Sequence, residues 1–199
     1  MQPSHPQRLL DFVTAMTRLA GEPGLDEAQM LERAGGLMSA LVAHDDWLPE
    51  SMARNHPQFY QQHLLYGDPL DRFSLVSFVW GPGQKTPIHN HTVWGIIGML
   101  RGAECGQRYA RGADGRLTPQ GHEERLEPGQ LEFVSPRLGD IHVVRNAFDD
   151  RDSVSIHLYG GNIGRIRRQV FAADTGTPKE FVSGYSNTLA PNLWAAPAA

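Results

Sequence analysis

From about residue 60 onward the chain is cut at short intervals by turn signals: Gly81-Pro82-Gly83, Gly112-Ala113-Asp114-Gly115, Pro128-Gly129, Pro136 to Asp140, and Asp149-Asp150. Glycine admits backbone conformations that other residues avoid, and proline and aspartate favour turns, so each cluster ends whatever precedes it. The intervening runs at 60–66, 72–79, 88–91, 94–101, 104–111, 115–125, 130–134, 141–146 and 153–159 have strand length. Several are rich in β-branched and aromatic residues, as in FSLVSFVW. Many short strands at this spacing require an antiparallel sandwich or barrel. The expected fold is mainly β.

The first third of the chain is different. Residues 7–20 place Leu9, Phe12, Val13, Met16 and Leu19 at helical spacing, and the GEPG turn stops that helix. A second helix is expected over 26–43, with Asp26 at its N-cap and Gly35-Gly36 either weakening it or admitting a close neighbour. A third, short helix is expected after Pro49. A length of 199 residues suits one domain, divided into a helical region 1–58, a β-barrel core 59–185 and an extended tail 186–199.

A net charge of -4 and the absence of a long basic run exclude a nucleic-acid footprint, since Arg165-Ile166-Arg167-Arg168 is too short to form one. No apolar run is long enough for a membrane span, and the N-terminus lacks a secretory pattern. The lone Cys105 excludes an internal disulfide and a thiolate metal cluster. A cytoplasmic protein is expected.

Chemistry concentrates between Gly83 and Gly102, in GQKTPIHNHTVWGIIGMLRG. On a strand, His89 and His91 point to one face. Two neutral imidazoles there form half a metal site, although the same pair would also suit an exposed edge strand. His5, His44, His56, His63 and His122 are read as surface or structural, and Trp94 as a core residue.

The spacing around these histidines resembles the first motif of the cupins, G-x5-H-x-H-x3,4-E-x6-G, with Gly83, His89, His91 and Gly102 in place and Gly95 where Glu usually stands. Gly129, Pro136, Gly139, His142 and Asn146 resemble the second motif, with an extra residue in each of its first two gaps. The resemblance implies a cupin double-stranded β-helix (jelly-roll barrel) with N-terminal helices, and His142 as a third metal ligand. A cupin that keeps three His without the Glu resembles the thiol dioxygenases of the cysteine dioxygenase family. Ser155, His157 and Tyr159 match that family's alternating Ser-x-His-x-Tyr, whose side chains share a strand face.

Departures from the mammalian-type pattern carry further implications. Gly95 stands near the position of a Cys that is cross-linked to the Tyr in that enzyme, so Tyr159 is expected without a thioether. Gln62, in Tyr60-Gln61-Gln62, replaces an Arg that holds the substrate carboxylate. Together with TVWG after His91 and the pair Arg167-Arg168, these features look like the bacterial 3-mercaptopropionate dioxygenases. That likeness implies Fe(II) on His89, His91 and His142, a small thiol and O2 as substrates, and 3-sulfinopropionate as product. It assigns the substrate carboxylate to Arg168 with help from Gln62, Arg165 and Arg167 being the competing choices. Three His also suit zinc, nickel or copper. A cysteine dioxygenase and a non-catalytic metal-binding cupin sensor remain alternatives, whereas a zinc or manganese cupin hydrolase or isomerase would keep the Glu. The oligomeric state is left open.

Overall fold

The computed structural model describes residues 6–194. Two helices lead, α1 (Gln7–Ala20) and α2 (Glu27–Val42), followed by strands β1 (Gln61–Gly67), β2 (Ser74–Trp80), β3 (Ile88–His89), β4 (Gly95–Arg101) and β5 (Glu104–Arg111). The chain continues with β6 (Leu117–Leu126), β7 (Leu131–Val134), β8 (Ile141–Asn146), β9 (Ser153–Tyr159), β10 (Arg168–Phe171) and β11 (Pro178–Phe181). They form a five-stranded sheet, β1-β2-β9-β4-β7, and a six-stranded sheet, β11-β10-β3-β8-β5-β6, with every pairing antiparallel. This is the cupin double-stranded β-helix.

Both helices form where the apolar spacing put them. Asp26 caps α2 through a capping box with Gln29, in which its carboxylate accepts the Gln29 N–H at 2.8 Å. The expected helix after Pro49 is only a 3₁₀ turn, Glu50–Met52. β10 and β11 were not among the expected strands; RQVF and PKEF are too short and too charged to show an alternating pattern. The strand expected over 88–91 shortens to Ile88–His89, leaving His91 beyond its end. The segment before residue 195 is extended but anchored, since Leu193 is buried with the helices. His5 and residues 195–199 lie outside the described residues.

Two apolar clusters explain why β2 and β9 are buried along their whole length. Leu75 and Val79 of β2, with Val154, Ile156 and Leu158 of β9, face the helices. The alternate residues Val76, Phe78, Trp80 and Tyr159 face the barrel interior together with Val144 and Ile163. α2 seats on β4 because Gly98 leaves room: a Cβ there would lie 2.8 Å from Val42 Cγ1 and 3.1 Å from Leu131 Cδ2. Gly35 makes the matching allowance on the helix, where Phe133 fills the space a side chain would take. The exposed edge of β1 is covered by residues after β11. Asn187 accepts from the Leu64 N–H at 2.7 Å and donates to the Leu64 carbonyl at 2.9 Å.

Gly98→Val therefore overfills the helix–sheet seam and should lower stability by about 1–3 kcal/mol. Urea unfolding measures this, and an unchanged midpoint would mean that α2 does not depend on this approach.

Candidate metal centre and cavity

His89 on β3 stands directly opposite His142 on β8 and Val170 on β10. His91 joins them, and one ligand nitrogen from each of the three lies within 4.8 Å of the others. The centroids of these rings are 4.9 Å apart in every pair. Burial, reinforced by the neighbouring imidazoles, holds His89 and His142 well below the ordinary histidine pKa, so their lone pairs stay free of protons.

Because β3 ends at His89, something other than strand pleat must aim His91. Asp140 does this. Its Oδ1 accepts from the His91 backbone N–H at 3.0 Å and lies 2.9 Å from His91 Nδ1, while Oδ2 accepts from the Thr92 N–H at 2.9 Å. The carboxylate thereby holds Thr92 at φ 63°, a conformation costly for a β-branched residue, and turns the chain so that His91 faces back into the barrel. Gly139, at φ 110°, lets the loop place Asp140 there. With His91 Nδ1 on Asp140 and His89 Nδ1 on the Pro87 carbonyl at 3.0 Å, Nε2 of each remains for a cation. His142 Nδ1 is buried without a protein partner. Three buried imidazoles converging in this way fit a divalent transition metal.

Gly95 explains why no carboxylate completes the group. It pairs with Tyr159, and a Cβ on it would lie 2.9 Å from Tyr159 Cδ1 and 3.1 Å from Val134 Cγ2. A Glu there would collide with the tyrosine ring. Cys105 is free and lies on β5, in register with Arg145 and Arg125.

On β9, Ser155, His157 and Tyr159 all point inward and form one hydrogen-bonded line. Ser155 Oγ is 2.9 Å from His157 Nε2, and His157 Nδ1 is 2.9 Å from Tyr159 Oη. Phe78 stacks on His157 at 4.1 Å, and Tyr159 stacks on His91 at 5.4 Å. Burial keeps the Tyr159 hydroxyl protonated and His157 well below its usual pKa.

Beside His89 opens a cavity of about 250 Å³, also lined by Tyr60, Gln62, Phe78, Arg168, Phe181 and Ser183. Of the three competing arginines, Arg165 pairs with Asp71 and Arg167 with Glu180 on the surface. Arg168 alone among them is buried, at 4 % exposure. Its Nη2 donates to Ser183 Oγ at 2.7 Å, its guanidinium carbon lies 4.8 Å from the Phe181 ring centroid, and its Nε has no partner. Gln62 also lines the cavity, with its amide donating to the Gly184 carbonyl at 3.0 Å.

Residues 45–170 match the model of the family described as cysteine dioxygenase type I. The chain belongs to this family. A cysteine dioxygenase type 1 of Danio rerio is 23% identical over 159 residues, covering 77% of this chain and 75% of the relative. Among solved structures, a protein of Thermus thermophilus is similar with a TM-score of 0.44 and 18% identity, over 56% of this chain and 92% of that one. A cupin superfamily protein of Desulfitobacterium hafniense is similar with a TM-score of 0.45 and 12% identity, over 60% and 94% of the two chains. Membership of the cysteine dioxygenase family implies an oxygenase-type enzyme acting on a small molecule with O2. Among the described residues no helix is long and apolar enough to cross a membrane.

Other readings from sequence divide. Trp94 packs half-buried against the helical core, and Gly160 makes room for its indole. Among the histidines read as surface or structural, His63 is buried. Asp140 and Ser183 were missed. Asp140 stands two residues before His142, the spacing of a strand period, which was the available signal; Ser183 carried none.

Replacing Asp140 by Asn keeps the size but weakens the hold on His91, and should lower metal affinity about 10–100-fold. Competition with a chelator measures it. Unchanged affinity would show that His91 is oriented without Asp140.

Proposed function

We propose that this protein is a mononuclear non-haem Fe(II) thiol dioxygenase that converts 3-mercaptopropionate to 3-sulfinopropionate. The observation that carries the reading is Arg168: a buried guanidinium with an unpartnered Nε, set in the same cavity as His89. A buried cation with a free donor is a receptor for an anion, and the guanidinium fork suits a carboxylate. Among the described residues no Asp or Glu lines that cavity. Nothing of opposite charge is there to hold the ammonium of an amino acid, which favours a thiol acid without an amine over cysteine.

Fe(II) held by His89, His91 and His142 would supply a Lewis acid for the substrate thiolate and the electrons through which O2 reacts with its sulfur. The reaction balances as R–S⁻ plus O2 giving R–SO2⁻, with no external reductant. Arg168 binds the carboxylate and, with the cavity wall, fixes the distance from that end of the substrate to the three histidines. Ser183 and Phe181 hold Arg168 in place. Gln62 presents an amide at the cavity wall but adds no charge. Tyr159, kept neutral by burial and steadied by His157 and Ser155, offers a hydroxyl beside the reacting sulfur.

The deciding experiment measures O2 uptake and sulfinate formation by the Fe(II)-loaded protein with 3-mercaptopropionate and L-cysteine offered separately. Coupled turnover that prefers 3-mercaptopropionate is expected. Preference for cysteine would overturn the role given to Arg168, and turnover of neither thiol would point to a non-catalytic metal-binding cupin.

Two variants refine the reading. Arg168→Met should lower kcat/KM for 3-mercaptopropionate about 10–100-fold, the worth of roughly 1.5–3 kcal/mol of charge-assisted hydrogen bonding, with much less effect on an uncharged thiol. Tyr159→Phe should retain metal and lose about 100-fold in kcat; a variant as fast as its parent would remove Tyr159 from the chemistry.

A further inference from the structure

The line of hydrogen bonds on β9 does not stop at Ser155. Glu104, the first residue of β5, is 1 % exposed and places its Oε2 2.7 Å from Ser155 Oγ. Its other oxygen, Oε1, is buried with no partner. Trp80 on β2 donates its indole N–H to the same Ser155 Oγ at 3.1 Å. Ser155 thus has three partners, and a hydroxyl has one proton to give and two lone pairs to receive with.

The Trp80 N–H can only donate, so it always occupies one lone pair of Ser155. That leaves one proton and one lone pair to divide between Glu104 and His157, and with any carboxyl proton on Oε2, because Oε1 has no partner to receive it, two arrangements satisfy every contact. With Glu104 protonated, its O–H donates to Ser155, Ser155 donates to His157 Nε2, and His157 Nδ1–H donates to Tyr159 Oη. The phenol proton is then free to point out of the line, beside His91. With Glu104 ionised, Ser155 must donate to the carboxylate, His157 Nε2–H donates to Ser155, and Tyr159 must donate to Nδ1. The phenol proton is then turned inward. Any mixed arrangement sets two lone pairs or two protons against each other at hydrogen-bond distance in a buried site.

We propose that Glu104 is the positioning residue that sets the direction of the whole line, and so decides whether Tyr159 donates its proton toward the substrate or withdraws it. This rests on the reading of Tyr159 as a donor beside the reacting sulfur. Glu104 acts through Ser155 and His157 and touches no candidate metal ligand.

The surroundings favour the donating arrangement near neutral pH. Burial pushes the Glu104 carboxyl up to about 8, and the Glu132 carboxylate on β7 adds to the rise, while contacts with Ser155 and Trp80 oppose it. The other titratable groups around it are the neighbouring Cys105 and, along β9, His157 and Tyr159, which burial holds in their neutral forms. A carboxyl raised in this way is neutral below its midpoint and ionised above it, so the line points outward below about pH 8 and inward above it.

The test reads the His157 tautomer by ¹⁵N NMR in the full chain loaded with zinc, a diamagnetic ion, with His157→Asn used only to assign the signal. The wild type should switch from Nδ1–H to Nε2–H as pH rises through about 8. Glu104→Gln, which cannot ionise, should keep a single His157 tautomer throughout, whichever end of its amide faces Ser155. Absence of the switch in the wild type, or its persistence in Glu104→Gln, would overturn the assignment. If the variant does not fold, the wild-type titration decides alone. Because no turnover is involved, a failed switch in a protein that oxidises thiols removes only Glu104. A switch in a protein that oxidises neither thiol leaves the line intact and removes the proposed reaction.

Discussion

The molecule depends on one strand being buried on both faces. β9 runs through the middle of the five-stranded sheet, with helices on one side and the barrel interior on the other. Its two-residue period separates two tasks. Val154, Ile156 and Leu158 join the apolar layer under α1 and α2, which holds the sheet in place. Ser155, His157 and Tyr159 take the opposite face and form a polar line that must find its partners inside the protein: they bond one another, and Ser155 also meets Glu104 and Trp80. A slip of one residue in register would put three polar groups into the helical core and three aliphatics into the site. The helices and the chemistry are thus coupled through a single pleat.

The second sheet supplies the facing wall, and its geometry is less regular. His89 and His142 meet as a cross-strand pair, but β3 is too short to carry His91 as well. The third imidazole is held instead by Asp140, whose carboxylate closes a turn around Thr92 and occupies His91 Nδ1. One side chain thereby fixes a backbone conformation and a ring orientation together. Across the cavity, Arg168 is the only buried Lys or Arg among the described residues. Its charge is left without a carboxylate, in a barrel where burial keeps His89, His142 and His157 neutral. An unpaired buried cation beside three imidazoles that fit a metal is an arrangement that stability alone gives no reason to keep.

Much of this was legible in the chain. The helical spacing of Leu9, Phe12, Val13, Met16 and Leu19, the Asp26 cap, and the turn signals between strands are local signals, and local structure followed them. The alternation of Ser155, His157 and Tyr159 follows the strand period, while the H-x-H pair and the Gly139–His142–Asn146 spacing pointed to the site through their resemblance to a family's motifs. What was not legible had no local signature. β10 and β11 are short and charged and become strands only by pairing with β3 and with each other. Apart from the resemblance that singled out Arg168, the residues Arg165, Arg167 and Arg168 look alike in sequence, and the pairing of β10 against β3 turns Arg168 inward while its neighbours reach surface carboxylates.

By itself, then, the sequence determined the class of fold, which is written in periodicities of two and of about 3.6 that a chain carries along its own length, and its motif spacings pointed to the site through their resemblance to a known family. The tertiary structure alone decided which of several equivalent polar residues matter. Asp140, Glu104 and Arg168 gain their character from burial and from partners on other strands, and the energy of a charge or a lone pair depends on what surrounds it in space, not on its neighbours in the chain.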